Sequence, residues 1–254
     1  SAASDVYKRQ GIIVVPYSEQ DLPYAQEAAD RLAVYVWEKR HEFYYTGLTA
    51  SPSKALQMAL DVQDKPVFLT DSGDNVTSGA TGWNTGILRQ VLQTETTKKF
   101  LFATICDPAA YQTLSACKTG EELSFTPGVG FDELSSAVEL DAVVKSSGKL
   151  TGFMMHDHTS VFGHCVNVHV KGTSIDIMVA DTGWAVCELH QFVSVGIDVD
   201  AYDVIVVKQG YIFPDFKAKG KLCVMSLTEG ATLQDTARLP FKRIMRPMFP
   251  IDDI

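Results

Sequence analysis

The sequence lacks the features that mark disulfide-rich and zinc-ribbon proteins. Its 254 residues include five cysteines, an odd number, and no two of them form a C-x-x-C pair. They are scattered along the chain: Cys106, Cys117, Cys165, Cys187 and Cys223. This pattern predicts reduced, mostly buried thiols in a cytoplasmic protein, because small secreted domains depend on paired cysteines.

The chain also lacks an excess of positive charge and any long apolar run. It carries 22 Lys and Arg against 31 Asp and Glu, a formal net charge of -9 at pH 7. This balance argues against nucleic acid and anionic membranes as partners, since both bind basic surfaces. No apolar run approaches the roughly 20 residues that cross a bilayer, and no secretory signal opens the chain.

Three motifs that would identify a chemistry directly are missing from the sequence. There is no G-x-x-x-x-G-K-[ST] phosphate loop and no G-x-G-x-x-G dinucleotide fingerprint. Neither H-E-x-x-H nor another helix-borne pair of histidines with a glutamate occurs. Evidence of function must therefore come from less standard patterns.

The first ten residues, SAASDVYKRQ, match the translation of a DNA adaptor. A transposase-type sequencing adaptor translated in frame would give this sequence, and the chain has no initiating Met. We expect residues 1–10 to be a non-native segment at the start of a truncated open reading frame. A natural polar N-terminal tail is the alternative.

Hydrophobic periodicity predicts an α/β fold, with a mixed sheet and covering helices in the first half and mainly antiparallel strands in the second. In the first half, strands are predicted at residues 11–16, 66–70 and 100–105. Helices are predicted from Asp21, after Ser51-Pro52, from about Trp83 and after Asp107-Pro108. In the second half, strands are predicted at residues 138–144, 150–155, 161–170, 175–180 and 203–208, with a helix at 188–195.

Residues 71–86 (DSGDNVTSGATGWNTG) form a polar, glycine-rich stretch between a predicted strand and a predicted helix. The start of a helix offers unpaired backbone N–H groups to an anion. However, Asp71 and Asp74 would repel a phosphate group unless a metal ion intervened, and no lysine follows Gly82. The structural alternative is a loop whose Asn, Asp, Ser and Thr side chains cap its own turns.

The segment VFLTDSGDNVTSGATGWNTGILRQVL resembles the signature of the C-terminal domain of the microcystinase C (MlrC)-like zinc metallopeptidases. That pattern is a strand, then D-x-x-D-N-P-x-x-G-x-x-G-D-x-T, then a helix. Six positions agree with it: Asp71, Asp74, Asn75, Gly79, Gly82 and Thr85. Val76 replaces the proline and Trp83 replaces the last aspartate, which indicates a divergent subgroup. Other segments agree in order and spacing: VWEKRHEF, Asp107-Pro108, VIVVK and LPFKRIMRPMFPID.

The resemblance implies a bacterial, cytoplasmic, zinc-dependent hydrolase acting on a peptide-like or small amide substrate. In that family the zinc ligands and the catalytic acid and base belong to the N-terminal half. By resemblance, residues 11–62 are the last strand and helices of that half, and residues 63–254 are the C-terminal domain. We therefore expect zinc and the catalytic groups to belong to a missing N-terminal domain, which would be the partner of this chain. The fragment should have no catalytic activity alone. A second copy of the chain, forming a homo-oligomer, is another candidate partner.

On the same basis, the loop and one lysine are predicted to orient the substrate or groups around the zinc ion. The predicted site residues are Asp71, Asp74, Asn75, Ser78, Gly79, Gly82, Thr85 and Lys208. Lys208 ends a predicted strand, at a sheet edge where α/β folds often place sites, and a snorkelling surface lysine is the alternative. A function of another class is also compatible with this loop, namely a non-catalytic small-molecule-binding or anion-binding regulatory domain.

Five of the six histidines lie between residues 156 and 190: His156, His158, His164, His169 and His190. In a strand, His156 and His158 would share a face, and with His164 across a turn they could hold zinc with an open position. The default alternative is a set of structural histidines whose tautomers are fixed by hydrogen bonds. They could also line the mouth of the site or contact a partner subunit.

Overall fold

Segments rich in β-branched and aromatic residues form a mixed sheet in the computed structural model, which describes residues 12–254. Nine strands occur among these residues: β1 (Thr49–Ala50), β2 (Val67–Asp71), β3 (Phe100–Cys106), β4 (Glu122–Phe125), β5 (Leu140–Thr151), β6 (Val161–Val170), β7 (Ile175–Ala180), β8 (Val204–Val207) and β9 (Leu222–Ser226). Their order in the sheet is β1-β9-β2-β8-β3-β7-β6-β5-β4.

The two halves of the sheet differ in strand direction. From β1 to β7 in the sheet order, every neighbouring pair is parallel. From β7 to β4, every neighbouring pair is antiparallel. Helices between the early strands provide the long crossovers that parallel pairing needs, and short connections suffice for the later strands. The predicted fold class is confirmed.

The described residues contain six α-helices: α1 (Leu22–Glu38), α2 (Pro52–Asp61), α3 (Gly86–Leu92), α4 (Pro108–Ser115), α5 (Leu189–Val193) and α6 (Pro214–Lys219). The predictions from Ser51-Pro52 and Asp107-Pro108 are confirmed by α2 and α4. Asp107 caps α4, since its Oδ1 accepts hydrogen bonds from the N–H groups of Ala109 and Ala110 at 3.1 and 3.0 Å.

Alternate residues of the central strands enter two different apolar clusters. In β8, for example, Val204 and Val206 join one cluster, and Ile205 and Val207 join the other. Helices α2, α3 and α4 contribute to the first cluster, while Phe192 of α5 and Phe216 of α6 contribute to the second. Because successive side chains of a strand point to opposite faces, helices cover both faces of the parallel part.

The described residues divide into two units, residues 12–46 with Asp235–Ile254, and Gly47–Gln234, which contains the sheet. The smaller unit contains α1, in which Ala25 is buried and many other apolar side chains are exposed. No helix of the described residues is both long and apolar enough to cross a membrane. Residues 1–10, predicted to be non-native, lie outside the described residues, and the boundary expected at residue 63 stays a prediction.

The strand expected at residues 11–16 is wrong over its described part, residues 12–16. These residues have no strand assignment, and the side chains of Ile13 and Val15 are 86% and 83% exposed. A β-branched run becomes a strand only where another strand pairs with its backbone, and no described strand pairs with it.

The two strands expected at residues 138–144 and 150–155 are a single strand, β5, that ends at Thr151. The intervening glycine suggested a turn, but Gly148 lies within the strand, where its lack of a side chain lets Ser194, directly after α5, lie close to it. A Cβ atom at this position would lie 2.2 Å from the carbonyl oxygen of Ser194. Residues 152–160 form a loop, so the strand expected at residues 150–155 is wrong over residues 152–155, and His156 and His158 do not share the face of a strand.

Candidate functional site

The polar residues singled out in the sequence meet at one edge of the sheet. Asp71 ends β2, Lys208 follows β8, Cys106 ends β3 and Ser226 ends β9. These strands are parallel, so their carboxyl ends lie along the same edge. Ligands of open α/β sheets bind at this edge, because loops there can converge without interrupting the strands.

The ammonium group of Lys208 lies at the centre of this polar group. Its Nζ is 2.8 Å from Oδ2 of Asp71 and 2.8 Å from Oδ2 of Asp74. It also donates a hydrogen bond to the backbone oxygen of Asn84 at 2.7 Å. An ammonium group has three donors, so all of them are satisfied within the protein. Lys208 is therefore a buried, fully bonded lysine, and the snorkelling alternative is wrong.

Lys208, Asp71 and Asp74 are 7%, 4% and 2% exposed. Burial lowers the pKa of Lys208, but the charges of Asp71 and Asp74 outweigh it and raise the pKa above its ordinary value. The two carboxylates are further stabilised by neutral donors. Thr228 donates to Asp71 at 2.6 Å, and the N–H groups of Gly82 and Asn84 donate to Asp74 at 2.9 and 2.8 Å.

The bonds to Asp74 also explain where α3 begins. The helix was expected from about Trp83, but it starts at Gly86. The backbone N–H groups of Gly82 and Asn84 point to the Asp74 carboxylate, so this stretch wraps around a side chain instead of forming a helical turn. Side chains of this type compete with helical backbone bonds.

Asn75 and Ser78 shape the exposed tip of the loop. Asn75 Oδ1 accepts hydrogen bonds from the N–H and the hydroxyl of Thr77, at 3.1 and 2.7 Å. Its Nδ2 donates to Oγ of Ser78 at 2.8 Å. Gly79 then adopts a left-handed conformation with φ 94°, which closes the turn. Thr77, Ser78 and Gly79 are exposed, while Asn75 is buried.

A second segment, which the sequence analysis missed, holds the base of the loop. Thr228 Oγ1 accepts the N–H of Gly73 at 2.8 Å, and Thr232 Oγ1 accepts the N–H of Asn75 at 2.9 Å. Backbones approach so closely that a Cβ on Gly73 would lie 2.2 Å from the oxygen of Glu229. The available signal was the run SLTEGATL, which is rich in hydroxyl residues and follows β9.

Thr85 connects the end of the loop to another part of the same unit. Its hydroxyl donates to the backbone oxygen of Ser136 at 2.7 Å, and its N–H donates to that of Leu134 at 2.9 Å. Gly82, with φ 81°, leaves room for the side chain of Val76, whose methyl would be 3.0 Å from an added Cβ. Both residues therefore have structural partners that fix the path of the chain.

Cys106 lies beside the loop but is not an activated nucleophile. Its N–H donates to the backbone oxygen of Gly82 at 2.9 Å. Burial and the nearby charges of Asp107, Asp74 and Asp181 raise the pKa of its thiol to about 11. The thiol therefore stays protonated near neutral pH, whereas a nucleophilic cysteine needs a lowered pKa.

His156 and His164 occupy separate environments. His156 packs on Trp184 and Phe162, with ring centroids 5.4 and 5.0 Å away. His164 Nδ1 lies 3.2 Å from Oδ2 of Asp181. Among the described residues, His156, His158 and His164 are not found together as a group able to hold a metal ion.

His169 belongs to a different hydrogen-bonded group. Its Nδ1 lies 2.8 Å from Oδ1 of Asp176, whose Oδ2 accepts the hydroxyl of Tyr202 at 2.6 Å. Burial and the bond to Asp176 raise the pKa of Tyr202. Asp176 is near the start of β7, away from the carboxyl edge of the parallel strands.

One group in the described residues does combine three metal-ligating side chains: His158, Glu188 and His190. Their ligand atoms all lie within 4.8 Å of one another. Only His158 of this group was predicted from the sequence. Glu188 and His190 were missed as metal ligands because they lie 30 or more residues further along the chain.

A cleft of about 510 Å³ lies between α4 and strands β5 and β6, away from the loop. Tyr111, Leu114, Lys118 and His164 are among the residues that line it. Its lining includes no member of the Asp71–Asp74–Lys208 group. The polar site and the cleft are therefore separate features.

Comparison with known proteins finds a matching family and a similar solved structure. The family described as MlrC C-terminus matches residues 69–243. The crystal structure of a protein named "Putative metallopeptidase" from Mesorhizobium sp. BNC1 has a TM-score of 0.71 and 21% sequence identity to this chain. The match covers 91% of this chain and 46% of that one, so this chain spans about half of that protein's length. No curated protein matches the sequence.

Proposed function

Because the chain belongs to the MlrC C-terminus family, we propose that it is the C-terminal part of a zinc-dependent, peptidase-like amide hydrolase of bacterial origin. The observation that carries this proposal is the family match over residues 69–243, which contains both the loop 71–86 and Lys208. These two features, distant in sequence, meet at the carboxyl edge of the sheet. Sites of α/β proteins are found at that edge.

We propose that the loop acts by positioning and not by carrying the reaction. Asp71, Asp74 and Lys208 are buried and bonded to one another, so they hold the loop in one conformation. Thr85 and Gly82 fix its second half. The exposed tip, with Ser78 and Gly79 shaped by Asn75, is then presented toward the substrate or toward groups around the metal ion.

The Asp71–Asp74–Lys208 group does not suit a zinc ion. The ammonium of Lys208 occupies the position between the two carboxylates where a cation would bind. We therefore propose that the catalytic zinc and the acid and base residues belong to an N-terminal domain of the whole protein. When bound there, zinc would supply a Lewis acid for amide hydrolysis.

The exposed surface of α1 supports a protein partner. Five of its large apolar side chains are 47–68% exposed: Leu22, Tyr24, Leu32, Tyr35 and Trp37. Exposed apolar groups of this density mark interaction surfaces. We propose that the N-terminal domain covers them, and a second copy of the chain is the other candidate. The five free cysteines agree with a cytoplasmic location.

A non-catalytic anion-binding domain is less well supported by the geometry. An anion at the loop would need unpaired N–H groups, but those of Gly82 and Asn84 already donate to Asp74. Two carboxylates also lie at this position. The net charge of the Asp71–Asp74–Lys208 group therefore repels anions.

The proposed activity is tested with a joined protein, in which this chain is expressed together with the residues encoded upstream of it in the source gene. Hydrolysis of a peptide library and of small amides is then measured with a chelator, and after zinc is restored. We expect chelator-sensitive hydrolysis by the joined protein and none by residues 11–254 alone. Ser78→Ala should lower turnover roughly 2- to 10-fold, which corresponds to the loss of one hydrogen bond, and should also lower the melting temperature, because Nδ2 of the buried Asn75 loses its acceptor.

Hydrolysis that is insensitive to chelation would contradict the proposed chemistry. Hydrolysis by the isolated chain would contradict the placement of the catalytic groups. If the joined protein hydrolyses nothing but the isolated chain binds inorganic phosphate, the anion-binding function is favoured instead.

A further inference from the structure

His158, Glu188 and His190 converge on a single oxygen atom. Nε2 of His158 lies 3.1 Å from Oε2 of Glu188, and Nδ1 of His190 lies 3.3 Å from the same oxygen. The two imidazole rings are stacked, with centroids 4.1 Å apart and an angle of 15° between their planes. The three potential ligand atoms therefore lie in one small region.

The spacing of these atoms suits a tetrahedral transition-metal ion. Zinc binds histidine nitrogen and carboxylate oxygen at about 2.0–2.2 Å, which places neighbouring ligands of a tetrahedron roughly 3.3–3.5 Å apart. The two measured separations, 3.1 and 3.3 Å, are close to this value. An ion can therefore be accommodated by small side-chain rotations.

The second polar atoms of His190 and Glu188 have partners that orient these two ligands. Nε2 of His190 lies 2.9 Å from the backbone oxygen of Gly152, so this nitrogen carries the hydrogen and donates it. In a neutral ring, the Nδ1 lone pair then points at Glu188. Oε1 of Glu188 accepts the N–H of Met154 at 3.0 Å, which leaves Oε2 directed at the two rings. Metal-binding histidines and carboxylates are typically oriented by such second hydrogen bonds.

A lone pair that faces a carboxylate oxygen needs a positive species between the two atoms. A proton or a metal cation would meet this requirement at the Nδ1 of His190. Separate hydrogens on the two rings would also satisfy Glu188, whereas a single metal cation would bind Nδ1 of His190, Nε2 of His158 and the carboxylate at the same time. The donor set, two imidazoles and one carboxylate, favours zinc and its neighbours over magnesium or calcium.

The fold brings these residues together from two separate segments. His158 is in the loop 152–160 between β5 and β6, Glu188 directly precedes α5, and His190 belongs to α5. Their side chains are 54%, 21% and 31% exposed. Solvent can therefore reach the group, so an ion bound there would keep at least one position open for water.

We propose that His158, Glu188 and His190 form a binding site for a divalent transition-metal ion, with Zn²⁺ as the preferred ion. This site is contained in residues 47–234 and needs no partner domain. The proposal does not depend on whether the whole protein is a hydrolase. The bound ion would connect the loop 152–160 to α5.

The proposal is tested with the full chain, freed of any affinity tag and of metal by dialysis against chelator. Zn²⁺ is titrated by calorimetry, the bound metal is counted by elemental analysis, and melting is followed with and without Zn²⁺. We expect one Zn²⁺ per chain and a higher melting temperature when it is bound. Co²⁺ should also bind and give the visible absorption that is typical of a low coordination number.

His158→Ala is the principal variant, because the His158 ring is 54% exposed and contacts the other two members of the group. It should weaken Zn²⁺ binding at least 10- to 100-fold and abolish the metal-dependent rise in melting temperature. Glu188→Gln should weaken binding similarly. His164→Ala is the matched control, since His164 is 49% exposed and faces Asp181 instead. It should bind Zn²⁺ like the unmodified chain.

Failure to bind one Zn²⁺ per chain would overturn the proposal. So would equal losses in His158→Ala and His164→Ala, because binding would then not depend on this group. Neither result bears on hydrolysis by the joined protein, so the two proposals can fail separately.

Discussion

Single residues of the loop 71–86 act mainly through buried charge. Lys208 makes three hydrogen bonds or ion pairs, and each of them ends on an atom of the loop, at Asp71, Asp74 or Asn84. A buried charge is stable only while its partners remain, since water cannot replace them. Removing one of the three charged groups should therefore destabilise the folded protein, because the other two stay buried without their partner.

Lys208→Met, which keeps the length of the side chain and removes its charge, should lower the free energy of unfolding by about 3–5 kcal/mol. The reason is that Asp71 and Asp74 would remain buried without a cation. Urea unfolding followed by circular dichroism measures the change. Lys171→Met is the matched control, because Lys171 pairs with Glu122 at the surface, and its effect should be much smaller. Equal effects of the two substitutions would show that the Lys208 group contributes no more than a surface pair.

At the scale of elements, the loop and the segment after β9 are locked by close backbone contact. Gly73 and Gly230 face each other, and a Cβ on Gly230 would lie 2.1 Å from the oxygen of Gly73. Only glycine permits this approach. The hydrogen bonds of Thr228 and Thr232 to the loop depend on it.

Gly73→Ala should destabilise the protein by about 1–3 kcal/mol, because the added methyl overlaps the backbone at Glu229 and forces the two segments apart. Guanidinium unfolding at pH 7 gives the difference. Gly86→Ala is a suitable control, since nothing lies within 4 Å of the added methyl and the position is in α3. It should be neutral or stabilise by up to about 1 kcal/mol. A Gly73→Ala protein as stable as the unmodified one would contradict the close approach.

The accuracy of the sequence-based prediction also varied by element. Helices α2 and α4 were predicted because Ser51-Pro52 and Asp107-Pro108 are local start signals that need no other part of the chain. Strands β1, β4 and β9 and helix α6 were missed, because they are two to six residues long and show little periodicity. The strand expected at residues 11–16 was wrong over residues 12–16, since composition does not supply a pairing partner.

At the scale of the whole molecule, buried groups with raised pKa values make the free energy of unfolding decrease at alkaline pH. Burial raises the pKa of Cys106 from 9.0 to about 11 and that of Cys165 from 9.0 to about 12. The pKa of Lys208 is also raised above 10.5. In each case the folded protein keeps a proton that the unfolded chain releases at lower pH.

The free energy of unfolding should therefore be constant near neutral pH and fall as the pH rises above about 9. Between the unfolded and folded pKa values, each group contributes a slope of about 1.4 kcal/mol per pH unit. Urea unfolding at a series of pH values measures this slope, and Cys165→Ala should reduce it between pH 9 and 12. A slope that is the same in Cys165→Ala would contradict the assignment to this thiol.

The sequence by itself determined the fold class, the family and the polar loop, because these depend on local periodicity, capping signals and residue order. Asp71, Asp74 and Lys208 were predicted as site residues from the sequence and the family resemblance, and their role at a site stays a prediction. Only the tertiary structure decided that the Lys208 ammonium lies between two carboxylates contributed 137 and 134 positions earlier in the chain. It likewise grouped His158 with Glu188 and His190 instead of with His156 and His164. The physical reason is that strand order and loop packing set which distant side chains meet, and neither is encoded in the spacing of residues along the chain.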